Sequence, residues 1–260
     1  MGGPPAIRLL LAYEGTRYVG WQHQPNGLSV QAVLEGAFQR LSGCSVRAVA
    51  ASRTDSGVHA AGQVVLLPNP SRHDPNTIRR GLNALLPEDI SVREAAWAEP
   101  GFEPRHHARG KHYRYRIFNR SARPVFERAL VWHLRRPLDL DAMQAASELL
   151  RGEHDFSAFR AANCPATSPV RSLDRVAWSR RGDELHLDVL GRSFLKQMVR
   201  NLVGTLVEVG WGRLRPQALT DILASRDRRR AARCAPAQGL CLLRVFYAPE
   251  EYARALASRD

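Results

Sequence analysis

Hydrophobic alternation opens the chain. Ile7, Leu9, Leu11 and Tyr13 recur every second residue from Ala6 to Tyr13, the period of a half-buried strand, and Glu14-Gly15-Thr16 turns it. Tyr18 to Gln24 reads as an aromatic and polar loop around Trp21. The spacing then changes to helical. Val30, Val33, Leu34, Ala37, Phe38 and Leu41 share one face, Ser29 stands at the N-cap position, and Gly43 ends the run. Cys44 to Ala51 reads as a buried strand and Gly62 to Leu67 as its partner, stopped by Pro68 and Pro70. Asp74-Pro75 pairs a capping residue with proline at the first helical position, with Ile78, Leu82, Leu85 and Leu86 turned inward. Ile90 to Ala98 is a further strand. Strand, helix, strand, strand, helix, strand is the split βαβ order of ferredoxin-like folds and of many RNA-binding modules.

The second half repeats the plan loosely. Lys111 to Phe118 has the cleanest period of two, with Tyr113, Tyr115 and Ile117 on one face and His112, Arg114 and Arg116 on the other. A helix from Asp139 to Arg151 capped by Gly152 is predicted, then a hairpin of Arg175–Arg180 with Glu184–Leu190 around Arg181-Gly182-Asp183. Helices over Phe194–Val209 and Pro216–Ala224 and a strand over Gly239–Tyr247 close the chain. The fold class is α+β: two ferredoxin-like halves, residues 1–103 and 104–260, joined through a mostly antiparallel sheet with a basic cleft between them.

Composition fits two such halves. The chain has 260 residues, natural for two domains, and 44% hydrophobic residues, ample for a core. No apolar run approaches the roughly 20 residues that cross a bilayer, and Met1-Gly2-Gly3-Pro4-Pro5 has no signal-peptide pattern. A cytoplasmic protein with no membrane partner is expected. Cys44, Cys164, Cys234 and Cys241 match no zinc spacing and no disulfide framework. His106 and His107 point to opposite faces of extended chain, so no metal is expected there.

Charge changes the picture most. Lys and Arg total 38, Asp and Glu 25, a net charge of +13, and only Lys111 and Lys196 are lysines. Genome composition or heat tolerance explains a preference for arginine over lysine. It does not explain the excess, which points to a polyanionic partner. Guanidinium forks bind phosphate oxygens in pairs and stack on bases.

Within Ser52-Arg53-Thr54-Asp55-Ser56-Gly57-Val58-His59-Ala60, one carboxylate sits between a guanidinium and a glycine turn, at the mouth of a strand–loop–strand unit. Asp-Ser-Gly is also ordinary turn chemistry. Arg200 falls at the border of the apolar stripe of its helix, beside Val203 and Val207. A partly buried arginine there needs an anion, and Asp55 is a candidate. Alternatively its stem packs while its head reaches water. Tyr113 reads either as a core aromatic or, among Arg105, Arg109, Lys111, Arg114 and Arg116, as a ring on which a base stacks. Arg53 could contact a phosphate, hold a displaced base or brace its loop.

At these residues the chain resembles the tRNA pseudouridine synthase A family. The carriers are Tyr18-Val19-Gly20-Trp21-Gln22, Arg53-Thr54-Asp55-Ser56-Gly57-Val58-His59-Ala60, Gly62-Gln63-Val64-Val65, Lys111-His112-Tyr113-Arg114-Tyr115, His154-Asp155-Phe156-Ser157-Ala158-Phe159-Arg160 and Met198-Val199-Arg200-Asn201-Leu202-Val203-Gly204, in the family's order. The resemblance implies a homodimer that converts uridine to pseudouridine in the anticodon stem-loop of tRNA, at tRNA positions 38 to 40, with no metal or cofactor. It implies that Asp55 is the catalytic aspartate, Arg200 its paired arginine, Tyr113 the tyrosine at the target uracil and Arg53 part of the RNA cleft. Arg105 and Arg114 are the further candidates for substrate binding. Two departures stand out: Ser52 where the family has glycine, and Glu103-Pro104-Arg105-His106-His107-Ala108 where it has His-Ala-Arg-Phe-Ser-Ala. Two other classes fit the same residues, a non-catalytic RNA-binding module and an RNA N-glycosidase that releases free uracil.

Overall fold

A computed structural model describes residues 5–258. The chain divides into two compact units. The first runs to Ala108 and takes back Leu242–Tyr247; the second holds Arg109–Cys241 and the chain from Ala248 onward.

In the first unit, β1 (Ala6–Tyr13), α1 (Val30–Ser42), β2 (Val49–Ala50), β3 (His59–Pro68), α2 (Pro75–Leu85) and β4 (Ile90–Trp97) follow one another as the pattern predicts. β1 lies between β4 and β3, antiparallel to both, and β2 pairs antiparallel with β3. That is the ferredoxin-like order. Ile7, Leu9 and Leu11 are fully buried, as are Leu34 and Phe38 of α1 and Ile78 and Leu82 of α2. The helix ends follow from their caps. Ser29 Oγ accepts from the Ala32 amide at 3.2 Å and Asp74 Oδ1 from the Thr77 amide at 3.1 Å. Gly43 closes α1 at φ 72°, its amide donating to the Gln39 carbonyl at 2.8 Å.

The buried strand expected over Cys44–Ala51 shrinks to Val49–Ala50, and Val49 is half exposed. The backbone of Ala48 finds side-chain partners on α1 instead. Glu35 Oε1 accepts from its amide at 2.9 Å, and Gln31 Nε2 donates to its carbonyl at 3.0 Å. With those groups satisfied by side chains, Ala48 has none left for a strand partner.

The second unit contains β5 (Gly110–Asn119), β6 (Trp132–Leu134), α3 (Leu140–Glu148), β7 (Gly152–Asp155), β8 (Val170–Arg181), β9 (Glu184–Gly191), α4 (Met198–Gly210) and α5 (Ala218–Ser225). β5, β9, β8 and β7 are neighbours in that order and antiparallel, while β6 runs parallel to β5. β10 (Leu240–Phe246) carries the chain back to the first unit, and α6 (Pro249–Ala257) follows it. No helix among the described residues is long and apolar enough to cross a membrane.

Three helix expectations need correction. α3 stops at Glu148, because Leu150 and Arg151 donate three residues back, to Ser147 and Glu148. Gly152, at φ 87°, begins β7 rather than capping a helix. α4 starts at Met198, since Gln197 ahead of it adopts φ 61°, outside the helical region. Nor is α4 a one-striped helix. Asn201, Leu202, Val203, Thr205, Leu206 and Val207 are all fully buried, so it is wrapped on nearly every side.

Candidate active site

Asp55 sits in the loop between β2 and β3, and that loop is fixed by backbone bonds to the Tyr18–Trp21 segment. The Trp21 amide donates to the Thr54 carbonyl at 3.1 Å and the Gly57 amide to the Tyr18 carbonyl at 3.3 Å. Ser56 Oγ donates to that same Tyr18 carbonyl at 3.2 Å, and the Val58 amide closes the turn on the Asp55 carbonyl at 3.1 Å. Gly20 lies directly beneath, at φ 105°. A Cβ there would come within 2.6 Å of the Thr54 carbonyl oxygen. Only glycine permits this approach.

A second set of bonds holds the loop from β3. Gln63 is fully buried in a strand of apolar neighbours. Its Nε2 donates to the Ser52 carbonyl at 2.7 Å and its Oε1 accepts from the Ser52 amide at 3.1 Å. Thr54 Oγ1 lies 2.8 Å from the Tyr13 hydroxyl, which Gln63 Nε2 also reaches at 3.4 Å. Ser52 and Thr54 are thereby held on either side of Arg53. The Arg53 side chain is exposed and has no hydrogen-bond or ion-pair partner among the described residues, and the same holds for Arg105. Sequence reasoning did not single out Gln63 for a role, although a lone amide inside an apolar strand is a signal in itself, because a buried polar group needs partners.

In the second unit, Arg200 and the segment before β10 bind each other in both directions. Arg200 Nε donates to the Ala235 carbonyl at 2.8 Å, and the Ala235 amide donates to the Arg200 carbonyl at 3.1 Å. The guanidinium is thus oriented by backbone. The neighbouring Tyr115 donates its hydroxyl to the Pro236 carbonyl at 2.8 Å. Burial raises the Tyr115 pKa well above the ordinary phenol value, with Arg200 opposing that shift. Tyr113 lies two residues along the same face of β5. It is buried, and its ring meets Phe194 edge-on with centroids 5.0 Å apart.

The other face of β5 is not the free basic surface that the interleaving suggests. Arg114 is bound bidentately by Asp188 across the β5–β9 register, with Nε and Nη2 at 2.8 and 2.9 Å, and His112 Nε2 lies 2.6 Å from Asp188 Oδ1. Arg116 forks onto Glu184 at 2.8 and 2.7 Å, and His186 Nε2 lies 2.7 Å from the same carboxylate. Burial would raise the Asp188 pKa, but the bonds from His112 and Arg114 outweigh it and hold the carboxyl at about 2. Burial also depresses the His186 pKa, though Glu184 opposes this. No disulfide joins the four cysteines, and no three His, Cys, Asp or Glu side chains among the described residues could hold a metal.

Of the six candidate residues, the structure therefore puts Asp55, Arg53 and Arg105 in the first unit and Tyr113, Arg114 and Arg200 in the second. The sequence profile of the family described as tRNA pseudouridine synthase matches residues 10–102 and 146–248, which takes in the Asp55 loop and Arg200. The chain belongs to that family. Curated relatives agree along nearly the whole length. The chain is 49% identical over 244 residues to tRNA pseudouridine synthase A of Myxococcus xanthus, covering 94% of this chain and 92% of the relative. It is 48% identical over 249 residues to the protein of that name from Acidiphilium cryptum, covering 95% and 98%. It is 46% identical over 241 residues to that of Geotalea uraniireducens, covering 93% and 99%.

Proposed function

We propose that this chain is a cytoplasmic homodimer that isomerises uridine to pseudouridine in the anticodon stem-loop of tRNA, at tRNA positions 38 to 40. The observation that carries the reading is the Asp55 loop: a carboxylate on a turn latched from both sides, in a chain of the tRNA pseudouridine synthase family. The reaction breaks the N1–C1′ bond, turns the uracil and joins C5 to C1′, while C5 loses its proton and N1 gains one. Nothing is oxidised and no group is added, so the chemistry requires neither metal nor cofactor.

In this reading Asp55 is the nucleophile, as a carboxylate is at a retaining glycosidase. Attack at C1′ of the ribose and attack at C6 of the base are both compatible with it. Arg200 is its counter-charge, which would favour the ionised carboxylate. Tyr113 packs against the uracil after it leaves the stack, a step that costs a few kcal/mol. Arg53 and Arg105 contact backbone phosphates and help offset that cost. Arg114, already bound to Asp188 through two of its nitrogens, supports the site through its charge and not through a fork of its own.

The test is a tRNA transcript carrying labelled uridine, incubated with the protein and digested to nucleosides. The proposal expects pseudouridine confined to the anticodon stem-loop. Free uracil would indicate an N-glycosidase, and tight binding without any product would indicate an RNA-binding module.

A further inference from the structure

The second unit contains a hollow of about 460 Å³ lined by Ser157, Arg160, Arg226, Asp227, Arg228 and Arg229. None of these residues has a part in the chemistry above. Four guanidinium groups meet here, and two carboxylates pair with them. Arg226 Nε is 3.1 Å from Asp155 Oδ2, and Arg229 Nη2 is 2.8 Å from Asp227 Oδ2. That leaves an excess of two positive charges. Arg228 has only neutral partners, its Nη2 donating to Asn201 Oδ1 at 2.9 Å and its Nη1 to the Ala231 carbonyl at 3.0 Å. The Arg160 side chain has no hydrogen-bond or ion-pair partner among the described residues, though its charge helps to lower the Asp155 pKa.

The hollow is built rather than accidental. Asn201 is fully buried in α4, and its Nδ2 donates to the Phe159 carbonyl at 2.8 Å. One side chain thus ties the turn Ser157–Phe159 to the fork of Arg228. Holding like charges together is unfavourable unless an anion joins them. A fork already oriented loses little freedom on binding.

We propose that this hollow binds a phosphodiester of the tRNA backbone, as a docking point made by Arg160 and Arg228, with Arg229, whose Nε and Nη2 are already held by Asp227, adding its charge. Guanidinium forks match phosphate oxygens. No aromatic side chain is among the lining residues, so bases have nothing to stack on and the contact is blind to sequence. The inference rests on the proposed tRNA substrate and adds to it a site in the second unit.

The experiment compares Arg160→Gln/Arg229→Gln with Arg180→Gln/Arg181→Gln, a pair on exposed parts of the β8–β9 hairpin that removes equal charge. Both leave Arg228 and its tie to Asn201 in place. KM and kcat for whole tRNA are measured from about 50 to 200 mM salt, with thermal melting as a check on folding. The hollow variant should raise KM about tenfold at unchanged kcat and flatten the slope of log kcat/KM against log salt by about one, the loss of one to two phosphate contacts. The hairpin variant should leave KM within about twofold. Equal KM and equal slope in the two variants would overturn the proposal. So would inorganic phosphate, titrated at constant ionic strength, protecting the wild type thermally without raising KM for tRNA, which marks a small-anion site. If the double variant melts early, Arg160→Gln alone decides by the same comparison. Should wild type make no pseudouridine, the functional reading fails by itself, and filter binding of tRNA to the same variants still decides the hollow.

Discussion

Trp21 donates its amide to the carbonyl of Thr54 at 3.1 Å, so the residue just before Asp55 is tied to the loop that opens α1. The same loop is fixed from its other side. The Gly20 and Trp21 carbonyls accept from the amides of Val30 and Gln31, in the first turn of α1, at 3.1 and 3.0 Å. The aspartate loop therefore inherits the position of a helix start.

Gly20 is where this arrangement has no slack. Gly20→Ala places a methyl group within 2.6 Å of the Thr54 oxygen at φ 105°. We expect a loss of about 1–3 kcal/mol in stability, read by thermal denaturation, together with a fall in kcat of tenfold or more. An alanine variant with wild-type kcat would mean that the loop tolerates displacement.

Gln63 tests the second latch. Gln63→Leu removes both bonds to Ser52 and leaves that residue's amide and carbonyl without their partner, a loss of about 1–3 kcal/mol. The expected signature is a fall in kcat with KM for tRNA nearly unchanged. Gln63→Glu, which restores the acceptor for the Ser52 amide but not the donor to its carbonyl, should recover part of the rate. Equal kcat in Gln63→Leu and wild type would remove Gln63 from the positioning of Asp55.

Asp188 makes a prediction in pH. Its pKa is about 2 when folded against an ordinary 3.8, so between these values the unfolded chain binds more protons and stability falls as pH falls. Stability from this carboxylate is complete above about pH 4 and is lost toward pH 2. Asp188→Asn should lower stability at pH 7 by about 3 kcal/mol, since His112 and Arg114 lose their shared anion, and should flatten the acid limb of a plot of stability against pH. An unchanged acid limb would place the pH dependence elsewhere.

Much of the frame was legible because it is written in local chemistry. Ser29 and Gly43 bound α1, Asp74-Pro75 starts α2, and the alternation from Lys111 to Phe118 names the buried face of β5. Family motifs drew attention to Asp55, Tyr113 and Arg200. What sequence reasoning missed lies in long-range pairings. Side chains of Gln31 and Glu35 take over the backbone of Ala48 and shorten β2. Asp188 claims Arg114 from 74 positions away along the chain. One orienting partner of Arg200 is the Ala235 carbonyl, a backbone atom that no residue type announces. α6 was passed over although Pro249 opens it and Glu250 and Glu251 occupy its first turn, both ordinary start signals.

The chemistry assigned to Asp55 is tested most directly by Asp55→Asn, assayed for pseudouridine in tRNA and for tRNA affinity on the same preparation. The exchange keeps the side chain's size and removes its charge. The account predicts no detectable pseudouridine and an affinity within a few fold of wild type. Pseudouridine formed by that variant at a rate near the wild-type value would contradict it.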